Sequence, residues 1–203
     1  MYSIPQDDRP VIVFDWDDTL LASTDLSCCG YRVDSNDHFP LQVQSELRAL
    51  ESSVADLLQL AIDSGHVFIV TNSEYGWVEM SAHRFLPAVV PLLGHIQVIS
   101  ARSLYERQYP GLPAQWKMQA FFRLSEALKG RTVLSFGDSH VEREAVYAAT
   151  SMQLNSKTVS VKFVDRPSLA QLCIQIDLVK QAKTWSYLCT PESDLDLVLS
   201  INM

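Results

Sequence analysis

Five short apolar runs, each separated from the next by a longer amphipathic segment, constrain the fold of this chain most strongly. They lie at 11–14, 67–70, 96–100, 132–136 and 158–164. Runs of this length that are rich in Val, Ile and Phe are typical of strands buried on both faces. Alternation of such strands with helices predicts an α/β fold, a Rossmann-like parallel β-sheet with helices on both faces.

The segments between the runs have helical spacing. Apolar residues recur on one helical face over 42–64, and Gly65 marks the end of that helix. Four more helices are predicted, namely 77–86, a helix from Pro113 towards Gly130, one from about Val141, and one from Pro167 to about Lys183. Residues 21–40 lack a clear pattern, and we expect a small flap or hairpin there.

Length, charge and cysteine content narrow the class of protein. The 203 residues fit a single domain, 1–203, and the net charge of −8 argues against nucleic-acid binding. No apolar run approaches the roughly 20 residues of a membrane-spanning helix. The polar, acidic N-terminus does not resemble a signal peptide. Four cysteines without metal spacing indicate reduced thiols, so we expect a cytoplasmic protein.

Polar residues follow three of the predicted strands. Asp15 ends the first strand, Thr71 ends the second, and Asp138 follows the fourth. The carboxyl ends of parallel strands meet at one edge of the sheet, where ligands bind in open α/β folds. Crowded carboxylates are tolerated there when a divalent cation neutralises them. Asp15, Asp138 and Glu142 offer the oxygen ligands that Mg²⁺ prefers, so the sequence predicts Mg²⁺ as cofactor.

Four short motifs resemble those of the haloacid dehalogenase superfamily, in the order expected of that family. They are DWDDT at 15–19, VTN at 70–72, Lys117, and GDSHVE at 137–142. The resemblance covers about 11–142, and the strand and helix as far as about 183 are compatible with the same fold. The tail, 184–203, either pairs at a sheet edge or continues into something beyond this chain.

The resemblance implies catalytic roles. Asp15 would be the nucleophile that forms an aspartyl-phosphate, and Asp17 would act first as general acid and then as general base. Thr71 and Lys117 would hold the phosphoryl oxygens. Asp18 is expected to point away and to play a local turn role.

The resemblance also implies the metal ligands. They would be Asp15, Asp138, the backbone carbonyl of Asp17 and Glu142. Because the family more often has Asp at the last position, we expect Glu142 to bind the metal through a water. An Asp at residue 17 goes with the phosphatases and phosphomutases of this superfamily. Because a mutase usually needs a cap domain to exclude water, phosphomonoester hydrolysis is the expected reaction.

Neither 20–41 nor 73–116 is long enough for a cap domain, since we expect only one helix and one strand in the second interval. The site should therefore be open and should favour a large substrate, most simply a phosphoprotein. Two alternatives stay open, a small-metabolite phosphatase closed by oligomerisation and a non-catalytic phospho-binding module. The resemblance also admits a secreted effector, because some effectors of intracellular pathogens are capless phosphatases of this kind.

Aromatic residues crowd the motifs and suggest what the substrate is. The predicted substrate contacts are Trp16, Asn72, Tyr75, Trp77 and Trp116. Rings at an open rim can stack on an aryl group, so we expect a preference for phosphotyrosine. The alternative for each ring is burial in the core, and for Trp16, which faces away from its neighbours, burial is the expected outcome.

Overall fold

Six parallel strands form one sheet in the computed structural model, which describes residues 4–5, 7–35 and 38–201. The strands are β1 (Val11–Phe14), β2 (His66–Thr71), β3 (Gln97–Ser100), β4 (Thr132–Gly137), β5 (Lys157–Lys162) and β6 (Leu195–Val198). Their order is β3-β2-β1-β4-β5-β6. Parallel strands in this order, alternating with helices, confirm the predicted Rossmann-like fold.

Helices cover both faces of the sheet. They are α1 (Ser23–Cys28), α2 (Leu41–Ser64), α3 (Trp77–Phe85), α4 (Val90–Leu93), α5 (Ala101–Tyr105), α6 (Pro113–Arg123), α7 (Ser125–Leu128), α8 (His140–Thr150), α9 (Leu169–Val179) and α10 (Ala182–Cys189). Side chains of β1 alternate between the faces. Ile12 and Phe14 pack with α2 and α9, whereas Val11 and Val13 pack with α6 and α8.

The predicted helix over 42–64 is confirmed, and the structure shows why Gly65 follows it. The Gly65 backbone is extended, with φ −163°, so no left-handed conformation is involved. A Cβ at this position would lie 2.4 Å from the carbonyl oxygen of Pro10. Glycine is therefore required by the close approach of the chain segment that leads into β1.

The two other long helical predictions are broken in the structure. The helix after Pro113 is interrupted at Leu124, which is itself fully buried, and α7 continues to Leu128. The last predicted helix ends at Val179, and the chain turns before α10 starts. That turn lets Trp185 enter the core, where its Nε1 donates a hydrogen bond to Ser64 Oγ at 2.9 Å.

The structure also tests the predictions for 21–40, for 73–116 and for the tail, 184–203. Residues 23–28 form the short helix α1 rather than a hairpin. The interval 73–116 holds more than one helix and one strand, because a 3₁₀ turn at Pro87–Val89, α4 and α5 accompany α3 and β3. The tail pairs at the sheet edge, with β6 parallel to β5. Among the described residues, no helix has the length and apolar character needed to cross a membrane.

Candidate active site

Three carboxylates converge beside the carboxyl ends of β1 and β4, the point where the strand order reverses. Asp15 follows β1 directly, and its backbone N–H donates to the Phe136 carbonyl at 2.9 Å, which continues the pairing with β4. Asp138 follows β4, and Glu142 lies in the first turn of α8. One ligand atom from each of Asp15, Asp138 and Glu142 lies within 4.8 Å of the others. The structure thus brings the predicted side-chain metal ligands together.

A buried lysine connects two of these carboxylates. Lys117 on α6 is 1% exposed, and its Nζ lies 2.7 Å from Asp15 Oδ1 and 2.9 Å from Glu142 Oε1. The same ammonium donates to the Val70 carbonyl at 2.9 Å. All three protons of the ammonium therefore have acceptors, which is the condition under which a buried charge is tolerated.

The cluster carries more negative charge than Lys117 can neutralise. Burial raises the pKa of Asp15 to about 8, although the Lys117 ammonium acts in the opposite direction. Burial, followed by repulsion from Glu142 and Asp18, raises the pKa of Asp138 to about 7. A divalent cation would lower both values by stabilising the charged forms. The all-oxygen donor set and this excess of acid fit Mg²⁺.

Glu142 differs from Asp15 and Asp138, because its pKa is lowered and not raised. Although burial favours its neutral form, the Lys117 ammonium and the Ser139 hydroxyl hold the pKa of Glu142 below its ordinary value. The Ser139 hydroxyl caps α8 and donates to Glu142 Oε2, while Oε1 faces Lys117. Gly137 makes room for this arrangement, because a Cβ there would lie 2.4 Å from Glu142 Cγ. Ser139 was not predicted as a site residue, although a serine three residues before a glutamate is the signal of a capping box.

Asp17 lies apart from this cluster and accepts three hydrogen bonds. Trp77 Nε1 donates to Oδ1 at 2.9 Å, and Ser73 Oγ donates to Oδ2 at 2.7 Å. The predicted phosphate-binding residue Thr71 donates to Oδ2 over a longer 3.4 Å. Ser73 was not predicted, and its only signal is its position two residues after Thr71. The side chain of Asp17 is thus oriented by residues that follow β2.

Asp18 has the local turn role predicted for it. Its φ of 56° is left-handed, and its backbone N–H donates to the Leu21 carbonyl at 2.7 Å. The carboxylate accepts hydrogen bonds from the backbone N–H and the hydroxyl of Thr24 at the start of α1. Asp18 therefore ties the chain after β1 to α1.

The predicted substrate contacts divide into core and surface residues. The prediction of substrate contact is wrong for Trp16, which is fully buried and whose Nε1 donates a hydrogen bond to Ser81 Oγ at 2.9 Å. It is also wrong for Trp116, which is 7% exposed and donates to the Tyr109 carbonyl at 2.6 Å. Tyr75 is 84% exposed, and Trp77 is half-buried. Asn72 Nδ2 donates to the Pro113 carbonyl at 3.2 Å, so this side chain joins the end of β2 to α6.

Comparison of the chain with protein-family models, with curated proteins and with solved structures gave no match. What the site can do is therefore inferred from its own residues. It holds a buried carboxylate in contact with a buried ammonium, two further acids that complete a candidate cation site, and a separate, oriented carboxylate at Asp17.

Proposed function

We propose that this chain is a magnesium-dependent phosphomonoester hydrolase of the haloacid dehalogenase type. The observation that carries the proposal is the position of Asp15, which contacts Lys117 at 2.7 Å and shares a candidate metal site with Asp138 and Glu142. Phosphoryl transfer of this type requires a nucleophilic carboxylate, a positively charged side chain beside the phosphoryl oxygens, and a metal site. Asp15, Lys117 and the cluster with Asp138 and Glu142 would supply them.

Hydrolysis would take place in two displacements. In the first, an oxygen of Asp15 bonds to phosphorus, the bond to the leaving oxygen breaks, and Asp17 gives that oxygen a proton. In the second, a water attacks phosphorus, its proton passes to Asp17, and the bond to Asp15 breaks with release of phosphate. Asp15, Asp138 and the Asp17 carbonyl would hold magnesium directly and Glu142 would hold it through a water, and the ion would offset the charge of the phosphoryl oxygens.

A large phosphorylated substrate fits an open site of this kind. Within 73–116, the additional elements are a 3₁₀ turn of three residues and helices of four and five residues, which are too small for a cap domain. We propose a phosphoprotein as substrate, with a preference for phosphotyrosine. The exposed ring of Tyr75 supports this preference, whereas Trp16 and Trp116 no longer do, because both lie in the core.

The covalent intermediate provides the test. Asp17→Asn protein is mixed with Mg²⁺ and p-nitrophenyl phosphate and quenched in acid, and its peptides are analysed by mass spectrometry. We expect a phosphoryl group on Asp15, because Asn at residue 17 slows the second displacement more than the first for a good leaving group. Asp15→Asn protein should fold but show neither the adduct nor turnover. Wild-type turnover that persists in Asp15→Asn would refute the mechanism.

A further inference from the structure

The two short hydrogen bonds to Asp17 come from different parts of one segment. Ser73 follows β2 by two residues, and Trp77 is the first residue of α3. They bind different carboxylate oxygens, Oδ2 at 2.7 Å and Oδ1 at 2.9 Å. Because each carboxylate oxygen has its own donor on a different residue, rotation of the carboxylate would break at least one short hydrogen bond.

Both donors are supported by the surrounding structure. The Ser73 carbonyl accepts a hydrogen bond from Ser100 Oγ at 2.6 Å, which fixes the backbone between β2 and β3. Trp77 is half-buried and packs against the core cluster that contains Phe85. Its ring also lines a cavity of about 440 Å³ together with Met80 and Leu26. Because both donors are themselves fixed in place, they can hold the Asp17 carboxyl group in one orientation. Proton transfer requires such a fixed orientation.

We propose that Trp77 and Ser73 are positioning residues for proton transfer by Asp17. This inference rests on the proposed function, because Asp17 is a proton donor only if the chain cleaves phosphomonoesters. Neither residue exchanges a proton with the substrate. Together they hold the carboxyl group of Asp17 where its proton can pass to the leaving oxygen as the phosphorus–oxygen bond breaks.

The dependence on the leaving group separates positioning from a structural role. An alkoxide needs a proton to leave, whereas p-nitrophenolate departs readily without one. Moving the Asp17 carboxyl group out of position should therefore lower the rate of cleavage of the alkyl ester only. The probes are ethyl phosphate and p-nitrophenyl phosphate, and kcat/KM is measured because it covers the steps as far as departure of the leaving group.

We expect Trp77→Phe and Ser73→Ala each to lower kcat/KM for ethyl phosphate about tenfold and to change that for p-nitrophenyl phosphate by less than about twofold. Trp185→Phe is the matched control, because it also removes a buried indole N–H, but one bound to Ser64 Oγ and not to a site residue. That variant should leave both values unchanged.

The possible outcomes decide between this inference and the proposed function. Equal losses on both esters, or no loss on either, in the Trp77 and Ser73 variants would overturn the positioning role and leave the hydrolase proposal standing. A folded wild-type protein that cleaves neither ester with Mg²⁺ present would overturn both.

Discussion

Removing the ammonium of Lys117 should destabilise the protein far more than removing another lysine that pairs with an acid. The substitution Lys117→Met keeps the length and apolar character of the side-chain stem. At separations of 2.7 and 2.9 Å, each ion pair of Lys117 has a Coulomb energy of about 6 kcal/mol at an effective dielectric constant of about 20. Most of this energy offsets the desolvation of the three charges.

The net change in the free energy of unfolding depends on the buried carboxylates that Lys117→Met leaves without a cation. Without Lys117, the carboxylates of Asp15 and Glu142 are buried without a cation, a situation that typically costs about 3–5 kcal/mol. Lys162→Met is the matched control. Lys162 is also buried and lies 2.6 Å from Asp165, but the Asp165 side chain is 67% exposed. Water can solvate that partner after the substitution, so we expect a loss of about 1 kcal/mol or less.

Urea denaturation without divalent cations measures both variants. The pKa of Lys117 is raised by Asp15 and Glu142 in spite of burial, so its contribution is complete below the ordinary lysine value of 10.5 and is lost above it. The lowered pKa of Glu142 makes its contribution complete above its ordinary value of 4.5. At pH 8 the Lys117–Glu142 ion pair is therefore complete, whereas Asp15, with a pKa raised to about 8, is about half ionised without a divalent cation.

The same measurement at pH 5 gives a second check. In Lys117→Met, burial without the ammonium raises the carboxyl pKa values further, so the folded state binds more protons than the unfolded state. The stability of the variant then falls as pH rises, and its deficit relative to wild type should be larger at pH 8 than at pH 5. Equal losses in Lys117→Met and Lys162→Met at pH 8 would refute the importance of the buried ion pairs.

Two further predictions concern the metal and the substrate. EDTA should abolish phosphatase activity, and Mg²⁺ should restore it. In calorimetric titrations Asp138→Ala should weaken Mg²⁺ binding more than Glu142→Ala, because both oxygens of Glu142 already have partners. Equal losses of Mg²⁺ affinity in the two variants would show that Glu142 is a direct ligand. Tyr75→Ala should lower the ratio of kcat/KM for a phosphotyrosine peptide to that for the matching phosphoserine peptide by about two- to tenfold. Tyr187→Ala, which removes another exposed ring, should leave the ratio unchanged, and a wild-type ratio of one or less would remove the proposed preference.

The strands and the location of the site could be predicted because both depend on local pattern. Apolar runs such as 11–14 and 132–136 are distinctive, and in a parallel sheet their carboxyl ends meet at one edge. Asp15 and Asp138 were therefore placed together from the ends of their strands. Whether the tail pairs at a sheet edge was left open, because the alternating exposure of β6 extends over only four residues, too short a pattern to identify a neighbouring strand.

The direction of individual side chains could not be predicted in the same way. Trp16 and Trp116 are sequence neighbours of site residues, but successive residues point to different sides of an extended chain or a helix. Both rings therefore lie in the core, while Asp15 and Lys117 meet in the site. The role of Ser73 depends on the path of the loop after β2, which no periodic pattern specifies.

Gly137 shows how a small residue shapes the site, and it gives a test that does not depend on activity. A Cβ on Gly137 would lie 2.7 Å from Glu142 Cβ and 2.4 Å from its Cγ, atoms that α8 holds in place. Gly137→Ala must therefore shift Glu142 or the start of α8, which disturbs the contact with Lys117. We expect a loss of about 1–3 kcal/mol in urea denaturation, together with weaker Mg²⁺ binding in calorimetric titration. Gly94→Ala is the control, since a Cβ there meets only the Pro91 carbonyl at 3.5 Å, and its φ of −64° suits alanine. If the two variants were equally stable and bound Mg²⁺ equally well, the packing of Glu142 against Gly137 would not be what shapes the site.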